Sequence, residues 1–106
     1  MYFPVIAINI YSVPKGMEDG FLLWWHQLKE AIVDNPGFIR GRLHRSLEPN
    51  ARFNFINVME WENSNYSQGY QDNVQRMHHK LAELGVETMP RLFTVVSTYE
   101  ASFRHT

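Results

Sequence analysis

Residues Val5 to Val13 form a run that is apolar on both faces of an extended chain. Side chains in a strand alternate, so Val5, Ala7, Asn9, Tyr11 and Val13 share one face and Ile6, Ile8, Ile10 and Ser12 the other. A strand greasy on both sides must be covered on both sides. That requirement excludes an open, one-layer sheet with a wet back. It leaves arrangements in which helices cover one face and something else covers the other. Pro14-Lys15-Gly16 ends the run.

Helical spacing takes over from Met17 to about Asp34, where Met17, Phe21, Trp24, Trp25, Leu28, Ala31 and Ile32 recur on one side. Glu18 and Asp19 sit in the first turn, where the helix dipole favours acids. Asn35-Pro36-Gly37 stops the helix. Phe38 to Leu47 reads as a second strand, with Arg40, Arg42 and His44 together on a wet or interfacial face. After a turn at Glu48-Pro49-Asn50, Phe53 to Trp61 reads as a third strand. It places Phe53, Phe55, Asn57, Met59 and Trp61 on one face. Ser64 to Leu84 is a weaker helix, with a break expected at Gly69 and Asp72-Asn73. Its second piece carries the stripe Val74, Met77, Leu81 and Leu84. Leu92 to Glu100 is the expected fourth strand, and Ala101 to Thr106 a loose tail.

The order β-α-β-β-α-β predicts a single α+β domain over residues 1–106, with its core at about 5–100. This is the ferredoxin-like arrangement, with an antiparallel sheet whose first and third strands are central neighbours. Both helices then pack on one face. The other face, carrying Ile6, Ile8, Ile10, Ile56 and Val58, is an apolar patch that a homodimer joined sheet to sheet would cover.

Composition narrows the function classes. The net charge is −1 and there is no cysteine. No global field favours nucleic acid or an anionic membrane, and disulfide or thiolate chemistry is excluded. No apolar run is long enough to span a bilayer. The start Met1-Tyr2-Phe3-Pro4 lacks the basic and small-residue features of a signal peptide, which predicts a cytoplasmic protein. A Gly-rich phosphate loop, metal-ligand spacing and a serine nucleophile with a positioned partner are all missing from the sequence. Bound nucleotide, flavin and metal are therefore not expected.

The chemistry-bearing candidates lie on the inward faces. Asn57 is a lone amide in an aromatic wall, and a buried amide without partners costs roughly 1–3 kcal/mol. Asn9 falls on the neighbouring strand. The two amides either converge in a cavity between sheet and helices or satisfy each other across the ladder. Tyr11, Phe21, Trp25, Phe55, Tyr70, Met77 and His78 are the candidate substrate-binding side chains around them. His78 and His79 point about 100° apart on a helix, so they cannot both enter one site. Helical phase favours His78.

These pieces, taken in order, resemble the antibiotic biosynthesis monooxygenase family of dimeric α+β barrels. The resemblance rests on Ala7 to Gly16, Asn35 to Phe38, Phe55 to Trp61 and the histidine pair. It covers about Val5 to Glu100. One branch, the cofactor-independent anthrone oxygenases, has a pattern that falls on Asn9, Asn57 and Trp61. The resemblance implies these three as catalytic residues for oxidising a phenolic polycyclic aromatic to a quinone with O2, with no cofactor. The branch's basic group on the second helix falls at best on His78 or Lys80. A second branch degrades haem. Its axial histidine falls on His79 by count, or on His78 with one gap, and its helix tryptophan falls on Tyr70. A third reading is a protein that holds a small hydrophobic ligand without turnover.

Overall fold

The computed structural model describes residues 4–62 and 68–103, and for residues 68–74 the backbone alone. The elements run β1 (Val5–Ser12), α1 (Glu18–Val33), β2 (Phe38–Arg45), β3 (Phe55–Trp61), α2 (Gln68–Glu83) and β4 (Glu87–Thr94). The four strands pair antiparallel in the order β2-β3-β1-β4. This is the expected ferredoxin-like α+β topology, with β1 and β3 in the centre.

Within the chain the helices cover one of the two faces of β1. Ala7, Tyr11 and Val13 are buried toward the helices with Phe55, Asn57, Met59 and Trp61 of β3. The opposite face carries Ile6, Ile8 and Ile10, in register with Glu60, Val58 and Ile56 on one side and Phe93, Arg91 and Met89 on the other. Arg40, Arg42 and His44 join that face from β2, and Arg40 pairs with Glu60 at 3.3 Å.

Local chemistry sets the element ends. Gly16 adopts φ 92° and Gly37 φ 87°, the left-handed region open to glycine. Asn54 stands in for a missing strand residue: its Nδ2 donates to the Val13 carbonyl and its Oδ1 accepts from the Val13 N–H, both at 2.9 Å. Gly85, at φ 73°, closes α2 with paired bonds from Val86 N to Leu81 O and from Gly85 N to Ala82 O.

That closure corrects the expected fourth strand. The chain turns at Gly85 straight into β4 at Glu87, five residues before the expected start at Leu92. Pro90 sits inside this strand, opposite Asn9. The Tyr11 carbonyl and both Val13 backbone groups face the β3 side. By alternation the backbone groups of Asn9 also face β3, so the Asn9–Pro90 pair is a non-hydrogen-bonded one. The proline nitrogen therefore points to the free edge, where no ladder bond is lost. The strand ends early because Thr94 already opposes Val5, the first residue of β1. Val95 to Glu100 have strand composition, but among the described residues they belong to no paired strand.

The second helix also differs from expectation. It runs unbroken from Gln68 through Gly69 and Asp72-Asn73. Its expected start at Ser64 and the tail end, 104–106, lie outside the described residues. Leu47, expected in β2, is fully exposed beyond it.

Candidate functional site

Of the cavities on the helix-facing side of the sheet, a larger and a smaller one share Met59 as a wall. The larger measures about 570 Å³. Its sheet wall is Ala7, Asn9 and Tyr11 from β1, with Leu92, Pro90 and Thr88 directly opposite them on β4. Its helix wall is Trp24 and Leu28, one turn apart on α1, and Gln75, His78 and Leu81, three residues apart on α2. The Trp24 indole N–H donates to the Met77 carbonyl at 2.8 Å, which ties the two helices together above the cavity. Behind it, Tyr11, Phe21, Trp24 and Phe55 form an aromatic cluster. The Tyr11–Phe21 and Phe21–Phe55 rings lie 4.9 and 4.8 Å apart. The walls are mainly apolar, with a few polar groups. A flat ligand would find burial area there and a small number of orienting contacts.

Charge enters at the rim. Arg91 springs from the outer face of β4, opposite Ile8, yet its guanidinium donates to the Pro90 carbonyl at 2.7 Å and joins the cavity lining. His78 lines the same cavity. His79 is exposed and is not part of that lining. Lys80 pairs with Glu83 at 3.3 Å on the helix surface.

The smaller cavity measures about 110 Å³ and lies between α1, β2 and β3. Trp25, Lys29, Ile32 and Val33 line it from the helix, and Phe38, Gly41, Asn57 and Met59 from the strands. Asn57 is 1% exposed, and among the described residues neither its Nδ2 nor the buried indole N–H of Trp25 has a hydrogen-bond partner.

The sequence candidates thus divide. Asn9 and Asn57 are direct partners across β1 and β3. They neither share one cavity nor satisfy each other: Asn9 lines the larger, Asn57 the smaller. Tyr11 and His78 line the larger cavity. Phe21 and Phe55 belong to the aromatic cluster behind it. Trp25 belongs to the smaller cavity. Met77 is half-buried and contributes its carbonyl to Trp24. Trp61 is fully buried, edge-on to Phe38 at 5.1 Å, in the core and not in either lining. The side chain of Tyr70 lies outside the described residues.

Sequence reasoning missed Trp24, Leu28, Gln75, Leu81 and the β4 wall. The helix residues carried a signal in their spacing, since Gln75 and His78 precede Leu81 at intervals of three. The β4 residues carried none while the strand was misplaced. Among the described residues no three histidine, cysteine, aspartate or glutamate side chains gather as metal ligands, and no helix is long and apolar enough to cross a membrane.

Comparison with known proteins gives three results. The family model for antibiotic biosynthesis monooxygenase matches residues 4–82. No curated protein matches the sequence. Solved structures do match. A protein of Shewanella loihica PV-4 with a provisional monooxygenase assignment is 28% identical, with TM-score 0.73 over 92% of this chain and 99% of that one. SnoaB, a cofactor-independent oxygenase of Streptomyces nogalater, is 20% identical, with TM-score 0.71 over 91% and 96%. A haem-degrading protein of Mycobacterium tuberculosis is 20% identical, with TM-score 0.58 over 95% and 100%. The last two likenesses are likenesses of fold.

Proposed function

The chain belongs to the antibiotic biosynthesis monooxygenase family, and from that premise we propose that it oxidises a phenolic, anthrone-like polycyclic aromatic to a quinone with O2 and no cofactor. The observation that carries this reading is the larger cavity: aromatic and aliphatic walls of fused-ring size, with the Asn9 amide on its floor and cationic Arg91 at its rim. An anthrone is its own reductant. Loss of a proton leaves an enolate, whose oxygen accepts hydrogen bonds from donors such as the Asn9 amide and the Arg91 guanidinium. The enolate passes one electron to O2. The resulting carbon radical and superoxide combine to a peroxide, which takes up a proton and loses water. A CH2 group and one O2 thus become a carbonyl and one H2O. His78, at the rim, is placed to exchange the proton. Tyr11 and Trp24 offer ring faces to the substrate. Trp61 acts through Phe38, which it holds against the smaller cavity.

Oxygen uptake on adding anthrone to the protein in air tests the reading directly. One O2 consumed per quinone formed is expected, and uptake no faster than the protein-free blank would sink it.

A second reading has one observation of its own. His78 lines the cavity and Arg91 stands at its mouth, so the one could hold a haem and the other pair with its carboxylates. Bound haem would supply an iron centre for oxygen activation; His78 would hold it and Arg91 would orient its edge. A hemin titration decides this, with a saturating Soret band lost in His78→Ala as the supporting result.

The cover for the outer sheet face belongs to the same proposal. Ile56, Met89 and Phe93 are 36%, 38% and 51% exposed there, beside the isoleucines of β1. A homodimer closed sheet to sheet would bury them. Sedimentation at micromolar concentration should show a dimer, and a monomer would refute it.

A further inference from the structure

We propose that Arg91 sets the substrate class: its guanidinium selects ring systems that carry a carboxylate, which it holds at the β4 edge of the larger cavity. The inference rests on the reading of that cavity as the substrate site and narrows its substrates to aromatic acids.

The first support is where the side chain goes. Met89, Arg91 and Phe93 leave β4 on the outer face, and Arg91 lies opposite Ile8. Its guanidinium does not stay on that face. It passes round the free edge, donates from Nη1 to the Pro90 carbonyl at 2.7 Å and lines the cavity. The Asn9–Pro90 pairing turns the Pro90 backbone groups to the same edge, so the carbonyl fixes the guanidinium at the mouth. A head held in advance loses less side-chain freedom when a ligand arrives.

The second support is charge. One bond to a carbonyl leaves the rest of the guanidinium fork open. Among the described residues the cavity lining holds no aspartate or glutamate, and no carboxylate pairs with Arg91. Glu87, on the same strand, pairs with Arg52 instead. The other polar side chains of the wall, Asn9, Tyr11, Gln75, His78 and Thr88, are neutral or basic. A cavity with a cation and no acid favours an anionic ligand, and the planar fork matches a carboxylate.

The third is layout. Trp24, Leu28 and Leu81 supply apolar wall for the rings, and Arg91 stands on the open side. An acid held there keeps part of its water and avoids the cost of a fully buried charge. Asn9 sits directly across from Pro90 on the neighbouring strand. One molecule can thus present a ring oxygen to the amide and its carboxylate to the guanidinium. Arg42 provides a control. It shares the outer row Arg42–Val58–Ile8–Arg91 but is not part of the cavity lining.

Titration with anthraquinone-2-carboxylate and its neutral carboxamide, followed by tryptophan fluorescence, tests the proposal without turnover. The wild type should bind the acid about tenfold more tightly than the amide. That preference should fall to about twofold or less in Arg91→Gln and persist in Arg42→Gln. It should also shrink as salt is raised, because the guanidinium is exposed. Equal binding of acid and amide, or binding of neither, overturns the proposal, and so does a preference that survives Arg91→Gln. A saturating Soret band with hemin beside no binding of the anthraquinone acid assigns the guanidinium to haem carboxylates and overturns it as well. Oxygen uptake separates the proposal from the reading beneath it. Arg91-dependent binding of the acid without uptake on the matching anthrone acid keeps the carboxylate site and rejects the oxygenase. Uptake with equal kcat/KM for anthrone and its carboxylate keeps the oxygenase and rejects the selection. Thermal melting of each variant confirms that it is folded.

Discussion

The two flanks of the helix–sheet layer are packed to different standards. On the β3–α1 flank, Phe21, Phe55, Met59 and Trp61 are each at most 2% exposed, and the space left over is small. On the β4–α2 flank, Leu92 is 51% exposed, Gln75 and His78 are open, and the wall facing Asn9 and Tyr11 is built from the short side chains Pro90 and Thr88. The central strand serves both. The fold keeps one flank dense for stability and leaves the other loose enough to admit a molecule. Substitutions on the dense flank should therefore cost folding free energy, and those on the loose flank should cost turnover.

Phe21→Ala tests the dense flank most severely. It removes a fully buried ring from the aromatic cluster and should lower unfolding free energy by about 3–5 kcal/mol, read by urea melts. Asn9→Leu tests the loose flank. Turnover of anthrone should fall about a hundredfold if the amide stabilises an enolate, while the melting point stays close to the wild type. A large loss of stability instead would make Asn9 a structural residue and erase the contrast. Trp24→Phe lies between the two. It keeps the ring but removes the bond to the Met77 carbonyl, and should cost about 1 kcal/mol. Leu92→Ser, at the open wall, should change stability by no more than about 0.5 kcal/mol.

The same contrast governs what could be read from residues. The dense flank was legible because burial imprints periodicity: β1, α1 and β3 fall within one or two residues of their expected bounds, and the inward set Phe55, Asn57, Met59 and Trp61 is buried as the alternation required. The loose flank was not. β4 runs through Pro90, which its place on the edge, with its nitrogen turned outward, makes acceptable. Val95 to Glu100 have the composition of a strand but pair with none of the described strands. Strand propensity is a property of the segment, whereas pairing needs a neighbour. The site split along the same line. Asn9, Tyr11 and His78 were found from spacing. The division of Asn9 from Asn57 was not, because register makes strands neighbours without saying which cavity each side chain serves.

Pro90 has a last consequence, which concerns misassembly. An exposed edge strand offers a row of free backbone groups on which another chain can template a cross-β ladder. A proline in mid-strand with its nitrogen turned outward withholds one donor and interrupts that row. The residue that floors the large cavity opposite Asn9 is thus also a gatekeeper against fibrillar growth from β4. Replacing it with valine would trade that protection for a smoother strand.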